Sequence, residues 1–374
     1  METIPAEADP KLQERRDRLY DEISDQFKDV SFERLLDIIG ELETFEDYCG
    51  DHPELFAGLA REAPCFTGGK MMKAVNNIHK IRTANYDCLN KSNEAAATSY
   101  FFQLHRKMED MVDELEPAPA SALGEAPTAV PRSPYGLEDH QSTPIPESEL
   151  KADGVFFYER SAPDMAAVHM VMETKLAPAG STINKDDLGQ IADYVHAIWG
   201  AQPTRTFVPV LFAHGAELDL LVFTRDKWYR ASLGPLSYRR QDPRERDAKA
   251  IRETMVRLWF ILTLPPDRFG HFCDATKQPN GLLFTREEDS VMATVEVSSS
   301  PRYKGKKAVL KLAWVPVDRL PEGAVYEFLK SKNVGGIPEV FDSGILRKNF
   351  LGHRLEYLVL EHCGDPLDVY FHKL

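Results

Sequence analysis

Apolar and polar positions alternate along this chain in three distinct rhythms. In "SFERLLDIIGELETF" the residues Leu35, Leu36, Ile38, Ile39 and Leu42 keep helical spacing, with Ser31 as the N-cap and Glu33 close behind it. The runs "KMMKAVNNIHKI" and "SYFFQLHRKMEDMVDELE" continue in the same style. Residues 1–115 therefore read as a helical region, a hairpin or small bundle starting near Pro10. Over residues 116–147 the pattern lapses into Pro, Ala and Ser, with too little apolar surface to bury, as expected of a linker or an inserted loop.

A strand rhythm follows. "DGVFFYER" and "AAVHMVMETKL" read as strands. "DDLGQIADYVHAIWG" reads as a helix with Leu188, Ile191, Ala192, Val195, Ile198 and Trp199 on one face, capped by Asp186 or Asp187. "RTFVPVLFAHG" and "LDLLVFTRDKWYRA" predict two strands around a turn at His214–Gly215, and "DAKAIRETMVRLWFILTL" a longer helix. This α/β part spans residues 148–275. Residues 276–374 then read as strand, strand, strand, helix, strand, strand: a five-stranded antiparallel sheet with one helix. The fold class expected is a multidomain chain, α/β in its core and α+β at its end, behind a helical region.

Composition narrows the function classes. The chain has 374 residues and a formal net charge of -14, which argues against broad binding to nucleic acid or to an anionic membrane. Its five cysteines, Cys49, Cys65, Cys88, Cys273 and Cys363, are scattered and form no C-x-x-C pair. They read as reduced thiols of a cytoplasmic or nuclear protein, not a secreted one. The run "MVRLWFILTLPP" stops at prolines and is too short to span a bilayer, and the N-terminus lacks an apolar signal core.

Two constellations carry candidate chemistry. In "VHMVMETKLAPAG" a hydrophobic strand holds Glu173 and Lys175 two residues apart, hence on one face. Asp153 starts the preceding strand, and Gln190 lies early in the helix that follows. That order is the layout of the PD-(D/E)xK nuclease core. There two carboxylates, here Asp153 and Glu173, hold a divalent hard cation such as magnesium, and a lysine steadies water or developing charge. The proline expected before the aspartate is missing ("KADG"). Two readings stand open: metal-dependent phosphodiester chemistry, or an ion pair on a nuclease-like scaffold.

The second constellation lies in "KKAVLKLAW", where Lys311 interrupts an apolar strand and calls for a partner. Glu327, in the next helix, matches the strand-three lysine and helix-C glutamate of a protein-kinase N-lobe. "RLEYLVLEHCGDPLDVY" then reads as strand five and hinge. Leu360 takes the gatekeeper position, Glu361, His362 and Cys363 offer backbone groups to adenine, and Gly364 eases the turn. A structural ion pair in an α+β domain is the plainer reading.

Taken in order, these motifs resemble the fungal-type protein kinase family over about the last 220 residues. The series comprises "METK", "DLGQIADYVHAIWGAQPTRTFVPVLFAHG", "LLVFTRDKWYRAS" and "AVLKLAWVPVDRLPEGAVYEFLKSKNVGGIPEVFDSG", with Gln190, Tyr194, Gln202, Pro203, Arg205, Arg225 and Asp226 at the family's marked positions. The resemblance implies an ATP-dependent Ser/Thr-type kinase fold in which Lys311 binds the α- and β-phosphates, Glu327 holds it, and ATP and magnesium are the cofactors. The departures are chemical. "REEDSVMAT" has no glycine to bring backbone N–H groups to phosphate, and Glu287, Glu288 and Asp289 repel it. The sequence contains no His-Arg-Asp loop after the hinge and no Asp-Phe-Gly. The expectation is an incomplete kinase domain that transfers no phosphate by itself. It leaves a protein partner to cover the exposed face of the lobe, with a scaffold role and a metal-dependent nuclease as the alternatives.

Overall fold

The computed structural model describes residues 10–52, 55–62, 91–114, 130–146, 148–158, 164–175, 183–202, 204–214, 217–236, 245–271, 275–278, 281–288, 291–296 and 308–361. They fall into two compact units, Met1–Gln202 with Phe207–Gly270, and Pro203–Thr206 with His271–Leu374.

In the first unit the N-terminal residues are helical, as their spacing predicts: α1 (Pro10–Ile23), α2 (Phe32–Ile39), α3 (Leu42–Asp51), α4 (Ala57–Glu62) and α5 (Lys91–Glu114). Ser31 caps α2, its Oγ accepting from the Arg34 N–H at 3.1 Å. One strand among them escapes the helical pattern. β1 (Phe27–Val30) pairs in parallel with a strand about 200 residues later. The run "KMMKAVNNIHKI" lies outside the described residues.

The segment read as linker or inserted loop contributes an edge strand. β2 (Tyr135–Glu138) pairs antiparallel with β3 (Gly154–Tyr158). Tyr135 and Ile145 within that segment are fully buried, and the Tyr135 hydroxyl donates to Leu264 O at 2.7 Å. Aromatic anchoring outweighs a polar composition there, because a single buried tyrosine can hold a short edge strand.

β3 pairs antiparallel with β4 (Val168–Lys175). The chain then runs through helix α6 (Lys185–Ala201) into β5 (Val208–His214), which lies parallel to β4. Asn184 caps α6, accepting from the Asp187 N–H at 2.8 Å, and so stands just before the aspartates expected in that role. The two strands expected after α6 are three: β5, β6 (Glu217–Phe223) and β7 (Trp228–Pro235) in an antiparallel meander, followed by helix α7 (Glu245–Thr263). The sheet order is β1-β7-β6-β5-β4-β3-β2.

β5 and β6 are buried along their whole length, as befits central strands covered on both faces. On one face Leu188, Ile191, Val195 and Ile198 of α6 pack against Val171, Val210, Phe212 and Leu221. Gly189 lets α1 close on α6, since a Cβ there would lie 2.8 Å from Arg16 O. On the other face, a Cβ at Gly154 would meet Phe102 of α5 at 3.4 Å, and α7 approaches β7 through Arg257, which donates to Leu233 O at 3.2 Å. The result is a three-layer α/β/α arrangement. No helix among the described residues is long and apolar enough to cross a membrane.

The second unit holds β8 (Ala275–Gln278), β9 (Gly281–Glu288), β10 (Val291–Glu296), β11 (Ala308–Pro316), helix α8 (Glu322–Ser331), β12 (Val340–Phe350) and β13 (His353–Glu361). The single five-stranded sheet expected there is divided, among the described residues, into two three-stranded sheets ordered β10-β9-β8 and β11-β13-β12. β8 is the added strand, and β9 and β10 take all of their described ladder pairing from each other and β8. A core of Phe341, Leu346, Leu355, Tyr357 and Val359 backs the second sheet. α8 seats on β12 through Gly323, where a Cβ would come within 2.4 Å of Ser343 Oγ.

Candidate functional site

Glu173 and Lys175 project from the C-terminal end of β4, toward the face covered by α6. Strand register sets their neighbours. β3 pairs Gly154 with Met172, which brings Asp153 opposite Glu173, and β5 pairs His214 with Lys175. The helix that returns from β4 to β5 lays Gln190 and Tyr194, one turn apart, over the same carboxylate. Four segments of chain thus meet at one point.

Hydrogen bonds link these side chains to one another. Lys175 Nζ lies 2.7 Å from Glu173 Oε1 and donates to Gln190 Oε1 at 3.5 Å. Asp187 Oδ1 stands 3.9 Å from the same ammonium. Gln190 Nε2 donates to Glu173 Oε1 at 2.9 Å and to the Tyr194 hydroxyl at 2.6 Å. Tyr194 OH donates to Lys151 O at 2.6 Å and lies 3.2 Å from Glu173 Oε2. Asp153 Oδ2 accepts from the Thr174 N–H at 2.7 Å, which ties the start of β3 to the strand carrying the glutamate.

Glu173 is only 2% exposed, and that fixes its chemistry. Burial pushes its carboxyl up to about 7; the Lys175 ammonium opposes the rise, and the Asp153 carboxylate adds to it. Tyr194 is raised well above the ordinary tyrosine range, first by burial and then by the negative charge of Glu173. A phenol has one proton and cannot serve Lys151 O and Glu173 Oε2 together. With the proton on the Lys151 carbonyl, the contact at Oε2 is satisfied when Glu173 itself carries a proton. The site therefore holds a glutamate poised between its two states near neutral pH.

The two carboxylates facing each other are the part of this arrangement suited to a cation. Asp153 raises Glu173 by like-charge repulsion, and a positive ion between them would relieve that repulsion. Among the described residues no group of three His, Cys, Asp or Glu side chains gathers around one point. A zinc cage is a poor match to such a donor set. Magnesium, which keeps several waters and takes one or two carboxylates, is a good one.

The lobe residues are distributed differently. Lys311 does not pair with Glu327. Its ammonium is bound by Glu322, at 2.8 Å and 2.7 Å from the two carboxylate oxygens. Glu322 opens α8 and sits over β11, whereas Glu327 lies five residues on, about 140° round the helix at ~100° per residue. Glu327 instead shares a cleft of about 800 Å³ with Tyr326, Lys330, Glu339, Phe341 and Glu361. Glu361, expected to offer its backbone to adenine, uses its N–H to bind Glu339 O at 2.8 Å. Leu360 pairs with Val309 across the β11–β13 ladder. His362, Cys363, Gly364 and Asp289 lie outside the described residues, whereas Glu287 and Glu288 end β9, opposite Met292 and Val291 of β10.

Among the other marked positions, Gln202 is buried and donates to Met165 O at 2.9 Å and Val168 O at 2.7 Å, tying the end of α6 to the start of β4. Arg205 is fully buried, and Pro203 lies outside the described residues. Tyr194 was legible only as a family position, although its spacing from Gln190 is that of two side chains on one helix face. Comparison with protein-family models, with curated proteins and with solved structures returns no match to this chain.

Proposed function

We propose that the α/β unit is a nuclease-like domain whose site hydrolyses a phosphodiester with the help of a bound divalent cation. The observation that carries this reading is the convergence of Asp153, Glu173, Lys175 and Gln190 from β3, β4 and α6 on one buried carboxylate. Asp153 and Glu173 would hold the cation, magnesium or manganese, which would supply Lewis-acid charge to the reacting phosphodiester. Gln190 donates to one oxygen of Glu173, and on ionisation the Tyr194 hydroxyl turns its proton from Lys151 O to the other, so that the carboxylate does not rotate when the cation enters. Lys175, held by Glu173, Gln190 and Asp187, stands where an ammonium can orient the water or stabilise charge on the phosphoryl group. Water adds to phosphorus, one ester P–O bond breaks, and the leaving oxygen takes up a proton.

The site fits a compact or single-stranded substrate better than a long duplex, because a net charge of -14 works against extended contact with a polyanion. Titration calorimetry with magnesium and manganese tests the reading. Binding should release about half a proton near pH 7, because the glutamate that ionises has a value of about 7. Metal-dependent cleavage of bis(p-nitrophenyl) phosphate should fall at least ~100-fold in Glu173→Gln and in Lys175→Met. Absence of binding heat at millimolar metal between pH 7 and pH 8.5 ends the proposal.

A second reading concerns the other unit. Its β11-β13-β12 order, with α8 between β11 and β12 in sequence and an ion pair from Lys311 to that helix, supports a kinase-type N-lobe of the fungal family. In this reading Lys311 meets nucleotide phosphate only after leaving Glu322. ATP turnover on generic protein substrates should be absent, and robust transfer abolished by Lys311→Ala would overturn that expectation.

A further inference from the structure

A second pocket lies at the opposite end of the strands from Glu173. The β6–β7 turn, the C-terminal half of α6 and the end of α1 enclose about 160 Å³. That is room for about five water-sized groups at ~30 Å³ each.

Three features of its lining point to a ligand. The first is an indole donor. Trp199 Nε1 is buried and has no hydrogen-bond partner among the described residues. The other two tryptophans of this unit are satisfied: Trp228 Nε1 donates to Ile23 O at 2.9 Å, and Trp259 Nε1 donates to Pro131 O at 3.1 Å. A buried N–H normally has an acceptor, and Trp199 is part of the pocket's lining.

The second is a cation beside that donor. The Arg225 guanidinium carbon stands 4.5 Å from the centre of the Trp199 ring. Burial lowers Arg225 to about 10, so it remains charged at neutral pH in a partly desolvated place where an anion gains most. The third is the balance around it. Lys227 is engaged by Asp226 at 3.2 Å, and Glu22 is 3.9 Å from Arg18 on its own helix. His196 packs edge-on against Trp199, its rings 5.8 Å apart. Burial holds His196 below the usual histidine value; Glu22 and Asp193 oppose that, and Arg15 and Arg225 reinforce it. Val195, Phe223 and Trp228 supply apolar wall.

We infer that this pocket binds a compact monocarboxylate. One carboxylate oxygen accepts from Trp199 Nε1, the other faces Arg225, and a short apolar body lies against Val195 and Phe223. A dianion fits less well, because Glu22 lies on the rim and the walls are apolar. Neither this pocket nor its ligand depends on the phosphodiester site.

Titration of the full chain with isobutyrate, followed at the indole N–H signal of Trp199 in ¹H–¹⁵N spectra, tests the inference. Trp199→Phe assigns the signal. The expected result is a saturable downfield shift with a Kd on the order of 1 mM. It should be accompanied by a rise in the His196 ring pKa, since a nearby anion favours imidazolium. Isobutyramide, the uncharged isostere, should bind about tenfold more weakly or not at all, and Arg225→Gln should weaken isobutyrate by a similar factor. If Arg225→Gln does not fold, the comparison of acid with amide carries the same distinction on the natural chain. An absence of saturable shift, an equal response to the amide, or tighter binding of inorganic phosphate than of isobutyrate would each overturn the assignment.

Discussion

Each unit of this protein pairs a strand lysine with a glutamate, and the two pairs have little else in common. In the α/β unit Lys175 and Glu173 sit side by side on β4, with side chains 17% and 3% exposed, and every oxygen of the carboxylate has a neighbour. In the lobe Lys311 and Glu322 are 48% and 34% exposed and are met by solvent on their open sides. Distance does not separate them, since both are 2.7 Å ion pairs. Burial does. In the dry pair the proton on the glutamate becomes a variable of the structure, while the wet pair is screened by water and salt. A close lysine–glutamate contact is therefore weak evidence of a site, and a desolvated one with a like charge beside it is much stronger.

The largest effect expected from this contrast is that of Lys175→Met. The substitution keeps the length of the side chain and removes the one ammonium that opposes the rise of Glu173. At pH 8.5, where the folded state must then keep a buried carboxylate charged or take up a proton, the α/β unit should lose about 3 kcal/mol. At pH 5.5 the carboxyl is neutral in the fold, and the loss should shrink to about 1 kcal/mol, that of hydrogen bonds no longer made. Urea unfolding followed by tryptophan fluorescence reads it, because Trp199, Trp228 and Trp259 all lie in that unit. A loss independent of pH would show that Lys175 serves packing alone.

Next in size is the pH dependence of the natural chain. Glu173 rises from 4.5 to about 7 on folding, so between those values the folded state binds more protons than the unfolded. Its contribution to stability is complete below about pH 4.5 and is lost as pH climbs through about 7. The loss is on the order of 3 kcal/mol at most, at ~1.4 kcal/mol per pKa unit. Glu173→Gln keeps the acceptor and the shape and should flatten that part of the profile. Millimolar magnesium should flatten it too if the cation binds the ionised form, which links this measurement to the proposed chemistry.

The sequence made the first constellation legible because its logic is local. A period of two on β4 puts Glu173 and Lys175 on one face, a short crossover returns α6 over them, and Asp153 needs only one hairpin to arrive. The parts that stayed hidden depend on distant partners. Nothing in "FKDV" announces that β1 will pair with β7, some 200 residues away. The Pro- and Ala-rich run hid β2, whose burial rests on Tyr135 reaching Leu264 O. The choice of Glu322 over Glu327 could not be read from spacing either. Both lie on α8, and which one meets Lys311 depends on how α8 is seated. Gly323 settles it by letting the first turn of the helix close on Ser343 of β12. That contact puts Glu322 above the lysine and turns Glu327 toward the cleft with Glu361.

The smallest expected effect completes the contrast. Lys311→Met should change the stability of the lobe by no more than ~0.5 kcal/mol, the range of exposed ion pairs, and that little should vanish in high salt. Trp314 is the tryptophan of the second unit among the described residues, so its fluorescence in a chain with the other three replaced by phenylalanine isolates this event. The substitution also leaves Glu322 satisfied in part, since its backbone N–H still donates to Glu356 Oε2 at 3.1 Å and the helix start keeps its place. A loss comparable to that of Lys175→Met would mean that Lys311 bears on the fold itself. It would also weaken the second reading, because a lysine needed to hold the lobe together is not available to leave Glu322 for a phosphate.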